Sequence, residues 1–299
     1  MLTLAFLSHH SNHLISKNIE KIVNYGLDIS FLVIENSLDH KLKIELEKKY
    51  KNIVKVHIPN ENLGFAKGMN KAIELSSDDF VFLSPPDVDL SYDCINDLLK
   101  CLNNFKDFTL LAPTYRDESS FKNYDENLFS KDFKQKNSFR IMNKFTLREV
   151  DWIDSSVIVN KSKIDSLKIM DENFFLYFET MDMCLNFKKD RRKMYIIDNI
   201  KFEHLGGASH EKKFNYEAAL SRNWHYNWSK FYYFKKNYSY LYAFKKSLPI
   251  LFKLFVKYIS SLLINKKEKR YLIKAEINGI TTSMLLGKSS YRPFIKKID

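Results

Sequence analysis

IVKVHIPNENLGFAKGMNKAIELSSDDFVFLSPPDVD, residues 53–89, is the stretch whose reading decides the fold. It opens on a short apolar run at 53–58, turns through Asn62 and Gly64, and takes helical spacing from Phe65 to Leu75. It closes on a second apolar run at 80–83 that stops against two prolines. Strand, helix and strand at this spacing are a βαβ unit, which calls for parallel strands. Working outward, residues 2–7 and 29–34 are further apolar strands. Each is followed by a helical stretch, one ending near Tyr25 and one charged and running through Lys49. A helix at 92–105 and a strand at 109–112 follow. The expectation is an α/β fold whose mostly parallel sheet binds its ligand at the carboxyl ends of the strands.

The pattern then breaks. Residues 114–149 are rich in charge, Asn and aromatic side chains without a sustained period, and read as a long excursion that holds an acceptor beside the site. Periodicity returns at 150–159, in a helix at about 178–188 and in a strand at 194–202.

Composition narrows the class. In 299 residues, 45% hydrophobic and 15% aromatic, there is ample material for a buried core, so disorder is not the default. Cys94, Cys101 and Cys184 are odd in number and form no CxxC pair. That argues against a disulfide framework or structural zinc and for a reducing cytoplasm. The apolar run at 2–7 has no basic flank, so no secretory signal is expected. The formal charge is +12, and residues 231–299 carry 15 Lys and Arg against Glu268, Glu276 and Asp299, which is +12 by itself. The remainder is formally neutral. This reads as a catalytic domain over 1–215 and a helical, basic C-terminal extension over 216–299 that meets something anionic. Leu251, Leu254, Phe255, Tyr258 and Leu262 form an apolar helix face with Lys253, Lys257 and Ser260 opposite, followed by Lys266, Lys267, Lys269 and Arg270. The expected partner is an anionic surface on the inner face of the cytoplasmic membrane; packing of this face on the catalytic domain or a second subunit is the alternative. Nothing in the chain matches a nucleic-acid-binding module.

Four constellations carry chemistry. Only 7 glycines occur, and Gly64, Gly68, Gly206 and Gly207 fall in two short segments. The first, Asn60 to Asn70, opens a helix whose free N–H groups, with Lys67 nearby, suit an anion; a plain helix cap by Asn62 is the alternative. The second, Ser84-Pro85-Pro86-Asp87-Val88-Asp89, presents two carboxylates just past a strand, which suits a hard cation such as Mg²⁺ or Mn²⁺. A lone DxD equally describes a solvated acidic turn. In the third, residues 171–185, Glu179 and Asp182 lie three apart on one helix face beside an aromatic run, as a general base and its support require. A first-turn acid stabilised by the helix dipole is the competing account of Asp182. The fourth places His204, a candidate ligand to the same metal, at a strand end before Gly206, Gly207 and Ser209, a turn that can approach a diphosphate closely; a structural histidine is the alternative.

In their order these segments resemble family 2 glycosyltransferases with the GT-A fold, a Rossmann-like sheet flanked by helices, particularly the bacterial rhamnosyltransferase-like branch. The resemblance runs from Leu2 to His210, and more loosely to Pro293. It rests on N-x-G-F-x-x-G-x-N at Asn62 to Asn70, DE-x-FF-x-YFE-x-x-D-x-C at Asp171 to Cys184, and H-x-GG-x-S at His204 to Ser209. It implies an inverting transfer of a sugar from a nucleotide-diphosphate donor to a glycan or lipid-linked acceptor, in bacterial surface polysaccharide or glycoconjugate synthesis. Ser8, Glu35, Asn62, Gly64, Lys67, Asn70, Asp87, Gly206 and Gly207 would bind the donor. Asp87, Asp89 and His204 would hold the metal, Asp151 and Trp152 would line the sugar pocket, and Glu179 and Asp182 would act in catalysis.

The chain departs from the family in four places: Ser8-His9-His10 for Thr-Tyr-Asn, Glu35 for Asp, Pro85 for Asn in the metal loop, and Thr180 where an acid often follows Glu179. A catalytically inactive glycan-binding or scaffold protein of the same fold is the alternative that Thr180 raises. A nucleotidyltransferase would need a Gly- and Arg-containing loop after the first strand, and residues 6–12 contain neither.

Overall fold

The computed structural model describes residues 1–115, 132, 133, 138–204, 214–263 and 267–292. The chain divides into two compact units, one of Met1–Leu63, Lys67–Met170 and Thr180–His210, the other of Gly64–Ala66, Asp171–Glu179 and Glu211–Asp299. The sequence put a boundary at 215. The second unit also takes in Asp171–Glu179 and Gly64–Ala66.

The first unit is built on β1 (Leu2–Ser8), α1 (Asn12–Val23), β2 (Ile29–Glu35), α2 (His40–Lys49), β3 (Val54–His57), α3 (Gly64–Leu75), β4 (Phe80–Ser84), β5 (Val88–Asp89), α4 (Tyr92–Asn104) and β6 (Leu110–Tyr115). It continues through β7 (Phe139–Met142), β8 (Phe145–Glu149), β9 (Val157–Asn160), α5 (Glu179–Lys189) and β10 (Met194–His204). The sheet order is β3-β2-β1-β4-β9-β6-β10-β8-β7, with β5 paired to β10. β3, β2, β1 and β4 run parallel, as the βαβ reading requires. Their side chains are buried on both faces: Leu2, Leu4 and Phe6 on one side of β1, Ala5 on the other, each at most 2% exposed. That is the burial of a strand covered by helices front and back.

Local chemistry sets the helix starts. Asp39 accepts from the Lys41 N–H and caps α2, and Ser91 accepts from the Cys94 N–H and caps α4. The apolar spacing Ile15, Ile19 and Ile22 turns one face of α1 into the core. Below the sheet, Asp78 accepts from Thr3 (2.7 Å) and Ser30 (2.6 Å), which ties the starts of β1 and β2 to the turn before β4.

Two features differ from the sequence reading. β9 enters antiparallel between β4 and β6. The excursion expected over 114–149 holds a hairpin, β7–β8, turned at Asn143 in the left-handed region (φ 53°). β7 is exposed, with Phe139 at 57% and Ile141 at 78%, so it carries no inward alternation for a sequence pattern to show.

The second unit contains α6 (Asn215–Asn237), α7 (Tyr240–Leu263) and α8 (Lys267–Leu285). A Cβ at Gly279 of α8 would stand 2.3 Å from the Trp224 carbonyl oxygen, so α6 and α8 meet backbone to backbone there. Trp224 and Trp228 stack beside this crossing, with Tyr291 stacked on Trp224. On α7, Leu251 and Leu254 are buried, whereas Phe255 and Leu262 are exposed. The single apolar face read from the sequence is therefore divided. The helix is apolar around more of its circumference than one packing contact covers.

Candidate functional site

Three adjacent parallel strands, β2, β1 and β4, end together. Ser8 and Glu35 are register partners at the ends of β1 and β2. Both are fully buried. The loops beyond them are joined: Asn36 N–H donates to Ser8 O (2.8 Å), His10 N–H to Ser37 Oγ (2.7 Å) and Asn12 Nδ2 to Asp39 Oδ2 (2.7 Å). Glu35 Oε1 accepts from the Ser37 N–H at 2.7 Å, and Oε2 has no partner among the described residues. A buried carboxylate oxygen left in this state carries a desolvation cost of about 1–3 kcal/mol, which an incoming N–H or O–H donor would relieve.

Beyond β4 the prolines stop the strand and the chain turns through Asp87, itself buried. Asn18 fixes this turn by donating to the Pro86 carbonyl (2.8 Å), and the Tyr25 hydroxyl, two helical turns further on, donates to Leu90 O (3.1 Å). Lys21 of the same helix face pairs with Asp89. Burial alone would lower the Lys21 ammonium, but Asp89 more than offsets this and its pKa is raised. β5 pairs antiparallel with the end of β10, setting His204 opposite Val88 and Glu203 opposite Asp89. Residues 114 and 116 apart in sequence thereby share one short ladder. The side chain of His204, and Gly206 and Gly207, lie outside the described residues. No cluster of three metal-ligating side chains forms among the described residues. Asp87 nevertheless fits a hard cation, because such ions take one or two carboxylates and complete their shell with water and phosphate oxygens.

The helix-opening segment is organised by backbone. α3 starts at Gly64, its N-cap position is Leu63, and no side chain caps it, so Asn62 is not the cap. Gly64 has φ 71°, and Phe65 N–H donates to the Phe175 carbonyl at 2.6 Å. Lys67 Nζ lies 3.7 Å from Glu61 Oε1. The Asn70 carboxamide is engaged with the Met170 backbone on both sides, donating to its carbonyl (2.8 Å) and accepting from its N–H (3.0 Å).

Asp171–Glu179 is held on α6. The Asp171 carboxylate takes Lys236 Nζ (2.7 Å), the Tyr232 hydroxyl (3.0 Å) and the Asn173 N–H (3.0 Å). Burial would raise its pKa, but the Lys236 ammonium and these donors bring it below the ordinary carboxylate value. Phe174 meets Tyr232 edge-on, Phe175 stacks on His225 at 4.5 Å, and Phe178 lies against Tyr226 and Tyr233. Ser229 Oγ donates to Leu176 O at 2.9 Å. This packing sustains two consecutive left-handed residues, Tyr177 (φ 70°) and Phe178 (φ 69°), immediately before Glu179. Each costs roughly 1–2 kcal/mol for a side chain of this size, and such strain persists where a following residue must be aimed.

α5 begins at Glu179. Glu179, Thr180 and Asp182 are all buried, Asp182 completely, with Asn186 Nδ2 donating to it at 3.4 Å. Asp151 is buried in an ion pair with Lys188 (2.6 Å), and Cys184 Sγ accepts from the Ile153 N–H (3.4 Å), so the strip carrying Asp151 and Trp152 runs along α5.

The sequence reading did not single out Asn18, Tyr232, Lys236 or His225. For Asn18 a signal exists: a polar residue stands within the Ile15, Ile19 and Ile22 stripe of α1, where only a specific acceptor repays its burial. The other three lie on a helix whose partner segment is distant in sequence.

No protein-family model matches the sequence, and no curated protein matches it. Among solved structures the chain is similar to a mannosyltransferase from Pyrobaculum calidifontis in complex with GDP-mannose and Mn²⁺, with a TM-score of 0.55 and 10% identity over 96% of this chain and 88% of that one. It is also similar to GalNAc-T7 with UDP, GalNAc and Mn²⁺, with a TM-score of 0.51 and 6% identity over 68% of this chain and 43% of that one. These likenesses establish the architecture: a mostly parallel sheet flanked by helices, of the GT-A type, with helices following at the C-terminus.

Proposed function

We propose that this protein is an inverting glycosyltransferase of the rhamnosyltransferase-like kind, moving a hexosyl or deoxyhexosyl group from a nucleotide-diphosphate donor to a hydroxyl of a glycan or lipid-linked acceptor. The observation that carries this reading is the placement of two buried carboxylates, Glu35 as the last residue of β2 and Asp87 just past β4, on the two strands that flank β1 in a GT-A sheet. Glu35 Oε2 would accept an N–H of the nucleobase, with Ser8 beside it. Asn62, Gly64 and Lys67 would face the donor at the start of α3, where Lys67 offsets phosphate charge. Asn70 would act from behind by holding Met170, and Gly206 and Gly207 would approach the diphosphate. Asp87, with Asp89 and His204 as further ligands, would hold Mg²⁺ or Mn²⁺, which when bound neutralises charge on the diphosphate.

Glu179 is assigned as general base and Asp182 as the group that supports it, in keeping with its complete burial. The acceptor oxygen forms its bond to the anomeric carbon as the bond from that carbon to the diphosphate oxygen breaks. The hydroxyl proton passes to the Glu179 carboxylate, and the electron pair of the broken bond leaves with the nucleoside diphosphate. One displacement inverts the anomeric centre. Asp151, locked by Lys188, and Trp152 would line the sugar pocket.

A panel of UDP-, GDP- and dTDP-sugars with Mg²⁺ or Mn²⁺, read by thermal stabilisation and then by donor consumption, tests this. One donor should raise the melting temperature only with metal, and Asp87→Ala should remove that dependence. Stabilisation that survives Asp87→Ala undiminished overturns the metal assignment. Metal-dependent donor binding with no transfer and no hydrolysis in the unmodified protein would favour the inactive glycan-binding reading that Thr180 raises.

A further inference from the structure

We propose that α7 seats the protein on an anionic bilayer surface through an apolar stripe that the second unit leaves uncovered. Leu241, Leu248, Phe252, Phe255, Ile259 and Leu262 are all exposed, Phe252 at 72% and Ile259 at 61%. Their spacings of three, four and seven keep them on one side of the helix. The side with Ala243, Ser247, Leu254 and Ser261 is buried, and Leu251 is buried at the stripe's edge. A contiguous run of large side chains of this kind on a protein surface marks something that covers it.

Charge decides what that is. In its 24 residues α7 has no Asp or Glu. Lys245, Lys246, Lys253 and Lys257 are all exposed along it, and Lys267, Lys269 and Arg270 open α8. A symmetric contact between two copies through this stripe would bring together two helices that each carry four lysines and no acid, which is repulsive. An anionic lipid surface satisfies both features: it takes the apolar stripe below the headgroups, holds Lys245 on the stripe's flank at their level, and attracts the net positive helix as a whole. Among the described residues no helix is long and apolar enough to cross a membrane. The mode is therefore a helix lying in the interface plane. The proposal concerns a different surface from the donor site and stands whether or not sugar transfer is shown.

The test is flotation of the full chain with vesicles of phosphatidylcholine alone and of phosphatidylcholine mixed with phosphatidylglycerol. Enrichment on the mixed vesicles is expected, falling as salt is raised. Lys245→Gln, on the flank of the stripe, should reduce that preference by on the order of fivefold, and Lys253→Gln with Lys257→Gln, on the far side of the helix, by less per lysine. Phe252→Asp with Ile259→Asp should lower binding to both vesicles by about tenfold or more, since two apolar anchors are lost. Both pairs are exposed, so their melting temperatures should match the parent. The proposal is overturned by equal recovery on both vesicles, by flotation of the aspartate variant at the parent's level, or by a dimer in sedimentation that Phe252→Asp dissociates.

Discussion

A Cβ on Gly64 would stand 2.4 Å from the carbonyl oxygen of Phe175, the same oxygen that accepts the Phe65 N–H at 2.6 Å. The helix-opening segment and the aromatic segment before Glu179 are thus locked together by backbone, and no side chain larger than hydrogen fits between them.

This gives a contrast between two glycines. Gly26 also has positive φ, 65°, but an added Cβ there meets nothing within 4 Å. Gly26→Ala should cost only the left-handed backbone term, about 1 kcal/mol. Gly64→Ala meets that term and a clash with backbone, and should cost roughly 3 kcal/mol or more. Urea unfolding of the two variants checks the difference, and equal midpoints would remove the close approach.

Glu179→Gln keeps the size of the side chain and removes its basicity, so transfer should fall by roughly 10² to 10⁴ while metal-dependent donor binding persists. Asp182→Asn should act mainly on stability and acceptor affinity, because Asp182 is fully buried against Asn186. Single-turnover rates and donor titrations on both variants separate the roles. Near-normal turnover in Glu179→Gln with loss in Asp182→Asn reverses them.

Burial in the aromatic cluster lowers the His225 imidazole to about 3, and the Arg292 guanidinium adds to the effect. The folded protein therefore keeps His225 neutral while the unfolded chain protonates it near 6.5. The corresponding stability is complete above about pH 6.5 and is lost as pH falls toward about 3, at up to about 1.4 kcal/mol per pH unit. His225→Phe carries no ring proton, so unfolding measured across that window should show a flatter acid limb. An unchanged limb would mean that the imidazole is not held neutral.

Asp78→Ala should destabilise the first unit by about 1–3 kcal/mol, because Thr3 and Ser30 each lose the carboxylate oxygen they share. Asp78→Asn, which keeps one acceptor oxygen, should recover part of this in thermal unfolding.

What the sequence determined by itself is what short-range pattern encodes. Apolar runs such as residues 80–83 and helical spacing such as that from Phe65 to Leu75 were enough for a βαβ sheet and its strand ends, because burial on two faces or one leaves a period in the chain. The chemical residue types were legible too: Glu35, Asp87, Glu179 and Asp182 stood out as carboxylates at strand ends or helix starts. Only the tertiary structure decided their surroundings. β7 escaped the pattern because both its faces are exposed. The pairing of His204 with Val88 joins segments 116 residues apart, and the fixing of the Asp87 turn by Asn18 spans some seventy. The strained Tyr177 and Phe178 are held by α6, far downstream. The division of α7 into a buried and an exposed apolar side followed only from which neighbours reached it. Periodicity records that a side chain will be buried, and long-range packing chooses what buries it.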